Sequence, residues 1–147
     1  MEKLLDVITG LKLVTIRLEE KDNPNRIFET LNYRGKELAQ SDLVRNFFMM
    51  SIRDDAKAEQ LYNDLWFPME HGFGSDTKER TENLELFLRH YLTMLKHATV
   101  KEDGIYAEVR ERLKLADENN VISELNNISK YAVYYQRLLF PKKRRTI

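Results

Sequence analysis

The chain contains no cysteine, and this absence excludes several kinds of protein. Without thiols there is no disulfide scaffold, no thiolate zinc site and no cysteine nucleophile. Glycine and proline are also scarce, at five and three residues, which is too few for a sandwich or barrel with many tight turns. No run approaches the roughly 18 apolar residues that cross a bilayer, and the N-terminus has no signal-peptide pattern. We therefore expect a cytoplasmic protein without a membrane span.

The chain also lacks an excess of either charge, because 24 basic residues balance 24 acidic ones. There is thus no global attraction to nucleic acid or to an anionic membrane, although a local basic patch remains compatible with this balance. With 147 residues and 42% hydrophobic content, the chain is long enough for one domain that buries a core without metal or disulfide bonds.

What the sequence does have is apolar residues at helical spacing, which predict a mainly α fold of about six helices in a bundle-like array. The clearest stripes fall in residues 41–52, 55–70, 81–97, 103–116 and 120–139, and an earlier helix begins at Pro24 and ends at Gly35. Pro68 is expected to end or kink the helix that contains it. Tyr131, Tyr134 and Tyr135 lie on a helical stripe and are interpreted as core or half-buried residues.

Residues 11–18 are the one convincing strand, because apolar and polar residues alternate around Val14, Thr15 and Ile16. A single strand cannot satisfy its own backbone donors and acceptors. We therefore expect its sheet partners upstream of Met1 or in another chain, and homodimerisation through residues 11–18 is the simplest solution.

Histidine chemistry is not indicated. His71, His90 and His97 have no histidine or cysteine partner at metal-ligand spacing, and phosphate-loop and nucleophile-elbow patterns are absent. We expect no metal site and no catalytic residue in this chain.

Residues 28–47 concentrate polar side chains more than a structural helix pair requires. Asp42 precedes Arg45 and Asn46 by three and four residues, so it can pair with either on one helix face. Arg45 offers a planar fork suited to phosphate or carboxylate. Two interpretations stay open here: a ligand site, or a helix start that Asp42 stabilises with Arg45 as an ordinary surface partner.

The same segment resembles the signature FxxLNxxGxxLxxxDLIRN of a known family. The matching residues are Phe28, Leu31, Asn32, Gly35, Leu38, Asp42, Leu43, Arg45 and Asn46. That signature marks the N-terminal, ParB/sulfiredoxin-like domain of GmrSD-type modification-dependent restriction endonucleases, which act in phage defence. Val44 replaces the usual isoleucine conservatively.

The resemblance implies a protein that binds or hydrolyses nucleoside triphosphate and couples this to cleavage of modified DNA. Asn32, Arg45 and Asn46 would line the edge of the nucleotide or phosphate site, with Arg45 contacting phosphate. The other matching residues would be structural.

The family's upstream Asp-Gly-Gln-Gln-Arg motif and its C-terminal nuclease are not in this sequence. We therefore expect the helical second half of such a domain, a single unit inactive alone. It would hold no cofactor itself, whereas the full-length parent would use NTP with Mg. The upstream half and the nuclease domain would be its partners.

Ala39 departs from the family, which often has serine or threonine at this helix start. The loss of that side-chain cap costs roughly 1 kcal/mol, and we expect Asp42 to reach back to a free backbone N–H instead.

Two other functions remain as alternatives. One is a non-enzymatic interaction module, in which Asp42, Arg45 and Asn46 only fix helix packing. The other is weak DNA contact through the basic tail, Lys142 to Arg145, with the nearby tyrosines as stacking platforms. Burial separates the first alternative from the ligand site, because enclosed side chains bonded within the helices indicate a structural role.

Overall fold

A computed structural model of the chain describes residues 38–141. Within this range the fold is mainly helical, with five helices joined by short loops, so the predicted fold class is confirmed there. The predicted strand 11–18 and the helix between Pro24 and Gly35 lie outside the described residues.

The five helices follow the predicted apolar stripes closely. Helix α1 is Gln40–Met50. Helix α2 spans residues 55–71 and consists of Asp55–Leu61, a π-helical segment Tyr62–Trp66, and Phe67–His71. Helix α3 is Thr77–Lys96. A 3-10 turn, Glu102–Gly104, leads into α4, Ile105–Leu113, and α5 is Glu118–Leu139.

Of the two expected effects of Pro68, an end or a kink of the helix, the end is not found, since α2 continues to His71. A π-helical segment directly precedes the proline, and there the N–H of Phe67 donates to the carbonyl of Tyr62, five residues earlier. A proline ring in a regular α-helix clashes with the carbonyl four residues before it. The wider π turn relieves that clash, so the helix passes through Pro68.

The core lies where the apolar faces of the five helices meet. Aromatic side chains fill its centre, with Phe48 of α1, Trp66 of α2 and Phe73 of the following loop fully buried. Helices α3 and α5 supply most of the remaining core, and all but Ala132 of the residues involved lie on the predicted stripes: Leu84, Phe87, Leu88, Tyr91, Leu92, Val121, Leu125, Ile128 and Ala132. Helix α1 packs against α3 and α4, and α5 packs against α3 and the middle of α2. This arrangement fixes the position of α1, which carries the second half of the family signature.

None of the helices within residues 38–141 combines the length and the apolarity that crossing a bilayer requires.

Candidate functional site

The described part of the family signature lies at the start of α1. Leu38 is in the loop before the helix, and Asp42, Leu43, Arg45 and Asn46 lie on its first two turns. The matching residues Phe28, Leu31, Asn32 and Gly35 lie outside the described residues. The predicted convergence of Asn32 with Arg45 and Asn46 therefore stays a prediction.

Arg45 lies between two carboxylates. One terminal nitrogen of its guanidinium is 2.9 Å from the Asp42 carboxylate, as the spacing of the two residues predicts, and the other is 3.9 Å from Glu70 of α2. Glu70 also accepts a hydrogen bond of 3.1 Å from the indole Nε1 of Trp66. Because Trp66 is fully buried, this chain of contacts connects the surface of α1 to the core of α2.

These contacts define what Arg45 can do chemically. Its side chain is 28% exposed, and a single positive charge faces two negative ones. A phosphate group would have to compete with both carboxylates for the same guanidinium. The geometry thus matches a structural joint between α1 and α2 better than an open anion site. Asn46 is partly buried and makes no side-chain hydrogen bond to any residue within 38–141.

The start of α1 is capped by another helix. Ala39 is the N-cap residue and supplies no side-chain bond, as the sequence predicts. The expected reach of Asp42 back to a free N–H is wrong, because Glu85 of α3 takes this role. Its carboxylate accepts from the backbone N–H of Ser41 at 3.0 Å and from the Ser41 hydroxyl at 3.3 Å. A carboxylate at a helix N-terminus is favourable for hydrogen bonding and for the helix dipole alike.

A second helix start borrows its cap from α1. Gly104 precedes α4 and has no capping side chain, and the backbone N–H of Tyr106 donates to the side-chain oxygen of Gln40 at 2.9 Å. The N-terminus of α1 thus receives a cap from α3 and provides one to α4.

A polar network centred on a buried carboxylate joins α3, α4 and α5. Glu124 is almost fully buried, and one of its carboxylate oxygens accepts from the Tyr91 hydroxyl at 3.1 Å and from Nε of Arg112 at 3.2 Å. Burial, and then the neighbouring Glu124 charge, hold the pKa of the Tyr91 phenol well above its usual range. Tyr91 therefore stays a neutral donor to a charged, paired carboxylate.

The three histidines do not converge, and two of them are hydrogen-bonded to nearby groups. Nδ1 of His90 lies 2.7 Å from the Tyr135 hydroxyl, and Nδ1 of His71 lies 2.9 Å from the Phe67 carbonyl. His97 ends α3 in the left-handed conformation, with φ of 56°. Among residues 38–141 no group of three or more histidine, aspartate or glutamate side chains could hold a metal ion.

Sequence reasoning missed the three glutamates that organise these contacts, Glu70, Glu85 and Glu124. Arg45, the α1 partner of Glu70, and Ser41, the partner of Glu85, lie far away in the chain, so local spacing gives no signal for these two contacts. Glu124 does have a signal, because it follows Val121 by three residues on the apolar stripe of α5. An acidic residue at a core position of a helix indicates a buried polar pair.

Comparisons with protein-family models, with curated proteins and with solved structures find no match to this chain. The resemblance to the restriction endonuclease domain therefore rests on the residues of the signature alone.

Proposed function

We propose that this chain is the helical part of the NTP-binding regulatory domain of a modification-dependent restriction endonuclease, a cytoplasmic phage-defence protein, and is inactive alone. The signature residues from Phe28 to Asn46 carry the proposal. The part of the signature within the described residues lies at the start of α1, where the side chains of Asp42 and Arg45 form an ion pair of 2.9 Å. A motif whose polar residues pair with each other has a structural reason to keep its spacing.

In this proposal residues 38–141 act as a scaffold and not as a catalytic centre. The Asp42–Arg45–Glu70 contacts hold α1 against α2. The alternative role of Arg45 is the phosphate contact predicted from the sequence. Of the two predicted nucleotide-binding asparagines, Asn46 is the one within the described residues. NTP with Mg would bind only when the upstream Asp-Gly-Gln-Gln-Arg motif of the parent is present.

The family assignment can be tested on the gene. We expect the residues encoded directly upstream of Met1 to include Asp-Gly-Gln-Gln-Arg, and a reading frame without this motif would contradict the assignment. Purified chain should release no phosphate from GTP or ATP in the presence of Mg. Hydrolysis that Arg45→Ala reduces would contradict its inactivity.

A double-mutant cycle tests whether Arg45 and Glu70 stabilise the fold as a pair. We expect Arg45→Met to lower the free energy of unfolding by about 0.5–1 kcal/mol, because the ion pairs it loses are partly exposed. Glu70→Gln in the Arg45→Met background should cost less than Glu70→Gln alone, since the two residues act as a pair. Chemical denaturation of the four proteins measures both quantities. If the two substitutions have additive effects on the free energy of unfolding, the Arg45–Glu70 contact does not hold α1 against α2.

The phosphate role has a different readout. If Arg45 contacts phosphate, Arg45→Met in the full-length parent weakens NTP binding by more than Glu70→Gln does. If Arg45 is a structural joint, as we propose, neither variant changes the NTP dissociation constant by more than about twofold, well below the loss of a charged hydrogen bond.

A further inference from the structure

A groove of about 220 Å³ runs between α3 and α5 and is lined almost entirely by apolar and aromatic side chains. Its floor consists of Phe87 and Tyr91, which belong to the core. Met94, Tyr131, Tyr134 and Leu138 are among the residues that form its rim.

The rim residues are exposed although they are large and apolar. Leu138 is 80% exposed and Tyr134 is 52% exposed, and Met94, Tyr131 and the adjoining Phe140 also face solvent. Tyr131 and Tyr134 are therefore not core residues, since each leaves about half of its surface exposed, whereas Tyr135 is more buried. Grouped aromatic, methionine and leucine side chains at a surface are typical of a binding site.

The exposed charged residues beside this groove on α5 are basic. Between Glu124 and the end of the described residues, the chain carries Lys130 and Arg137 and no acidic residue. No acidic residue lines the groove. Exposed Lys130 and Arg137 lie four residues before and three residues after Tyr134, which places both beside it on the helix surface.

We propose that this groove binds an acidic amphipathic helix of a partner protein. The apolar side chains of that helix lie between Met94 and Leu138, and its carboxylates face Lys130 and Arg137. Apolar anchors provide the affinity in such helix-in-groove complexes, whereas complementary charge provides orientation and a faster association.

Two other occupants fit less well. A second copy of the chain would bring together two surfaces of the same positive sign across a C2 interface. Single-stranded nucleic acid needs ring faces that accept successive stacked bases. The rings of Tyr131 and Tyr134 are 6.5 Å apart but stand at 77° to each other, and the aliphatic side chains of Met94 and Leu138 offer no stacking face.

The test uses the full chain and a fluorescein-labelled synthetic helix of about 18 residues, with leucine on one face and glutamate on the other. Fluorescence anisotropy should show saturable binding. Tyr134→Ser combined with Leu138→Ser should weaken it about tenfold, the effect of losing central apolar anchors. Leu115→Ser is the matched control, because Leu115 is 91% exposed and lies outside the groove. We expect this control to bind like the wild-type chain.

The charge contribution is tested by Lys130→Glu combined with Arg137→Glu. This variant should lower affinity several-fold at low salt and show a weaker salt dependence than the wild-type chain. Lys78→Glu combined with Lys101→Glu, on two exposed lysines away from the groove, is the control for the same change in net charge.

Several outcomes would overturn the proposal. One is the absence of saturable binding to the acidic helix at low salt. Another is equal binding by the Tyr134/Leu138 double variant and the Leu115 control. Binding of oligothymidylate of about 20 nucleotides in place of the peptide would assign the groove to nucleic acid. Sedimentation that shows a dimer, abolished by Tyr134→Ser with Leu138→Ser, would assign it to a second copy.

Discussion

At the scale of single residues, Glu124 is the most informative side chain of the described core. An ionised carboxylate is costly to bury unless it is paired and hydrogen-bonded. Glu124 meets both conditions, because Arg112 supplies the charge and Tyr91 supplies a second hydrogen bond to the same oxygen. Glu124 belongs to α5, Arg112 to α4 and Tyr91 to α3. Hydrogen bonds to one carboxylate oxygen therefore connect three helices.

Tyr91→Phe tests this network. The substitution removes only the hydroxyl and leaves a buried carboxylate with one donor fewer, so we expect the free energy of unfolding to fall by about 1–2 kcal/mol. Denaturant unfolding at neutral pH measures the change. Tyr134→Phe is the matched control, since Tyr134 is exposed, and it should stay within about 0.5 kcal/mol of wild type. Equal losses in the two variants would contradict a special role for the Tyr91 hydroxyl.

At the scale of elements, the helices form two groups: some are capped at the N-terminus by a neighbouring residue in the chain, and others by a side chain from another helix. Asp54, Asp76 and Asp117 cap α2, α3 and α5 locally, each accepting from the backbone N–H three residues later. Helices α1 and α4 instead depend on Glu85 and Gln40 from other elements. Their first turns are therefore secured only when the tertiary structure is formed, because a cap from another helix is absent in the unfolded chain.

Restoring a local cap to α1 gives a specific prediction. Glu85→Ala should destabilise the fold by about 1 kcal/mol, the usual effect of losing an N-cap interaction. Ala39→Ser should recover much of this loss, because a serine hydroxyl at the N-cap can accept from the same first-turn N–H groups. In the wild-type background Ala39→Ser should gain less, since Glu85 already occupies the N–H of Ser41.

Thermal or denaturant unfolding of the four proteins gives the coupling between positions 39 and 85. Glu82→Ala provides the control, because Glu82 is an exposed glutamate on the same helix whose nearest partner, Lys78, is 3.8 Å away. If Ala39→Ser has the same effect with and without Glu85, the two side chains do not serve the same helix end.

The same division shows what the sequence could predict about the fold. Periodicity located every described helix, because each buries one apolar face over two or more turns. The Asp42–Arg45 pair was predictable from a spacing of three residues. Glu85 was not, because it is 44 residues away from Ser41. The exposure of Tyr131 and Tyr134 was not predictable either, since a helical stripe does not reveal how much of its width a neighbouring helix covers.

At the scale of the whole molecule, α3 is the central element of the described fold, because it contacts α1, the end of α2, α4 and α5. It supplies Glu85 to the start of α1 and Tyr91 to the network of α4 and α5. Opening α3 would break the cap and the network together. The stability effects of its side chains should therefore be seen in global unfolding and not in the fraying of one helix.

This coupling predicts how stability changes at alkaline pH. Burial raises the pKa of Tyr91 far above the value of about 10 for an unfolded tyrosine. Below about pH 9 the phenol is protonated in both states and its contribution to stability is constant. As the pH rises through 10, the unfolded chain ionises first, so the free energy of unfolding falls.

We expect Tyr91→Phe to make that fall shallower, because the variant has no phenol at position 91 to ionise on unfolding. Burial also raises the pKa of Tyr135, but the Arg89 charge opposes it, so Tyr135→Phe should reduce the slope less than Tyr91→Phe does. Urea unfolding between about pH 9 and 11 measures all three slopes, which report protons released on global unfolding. Parallel curves for wild type and Tyr91→Phe would mean that the Tyr91 phenol ionises as readily in the folded protein as in the unfolded chain. In that case burial and the Glu124 charge would not hold the pKa of Tyr91 above its usual range.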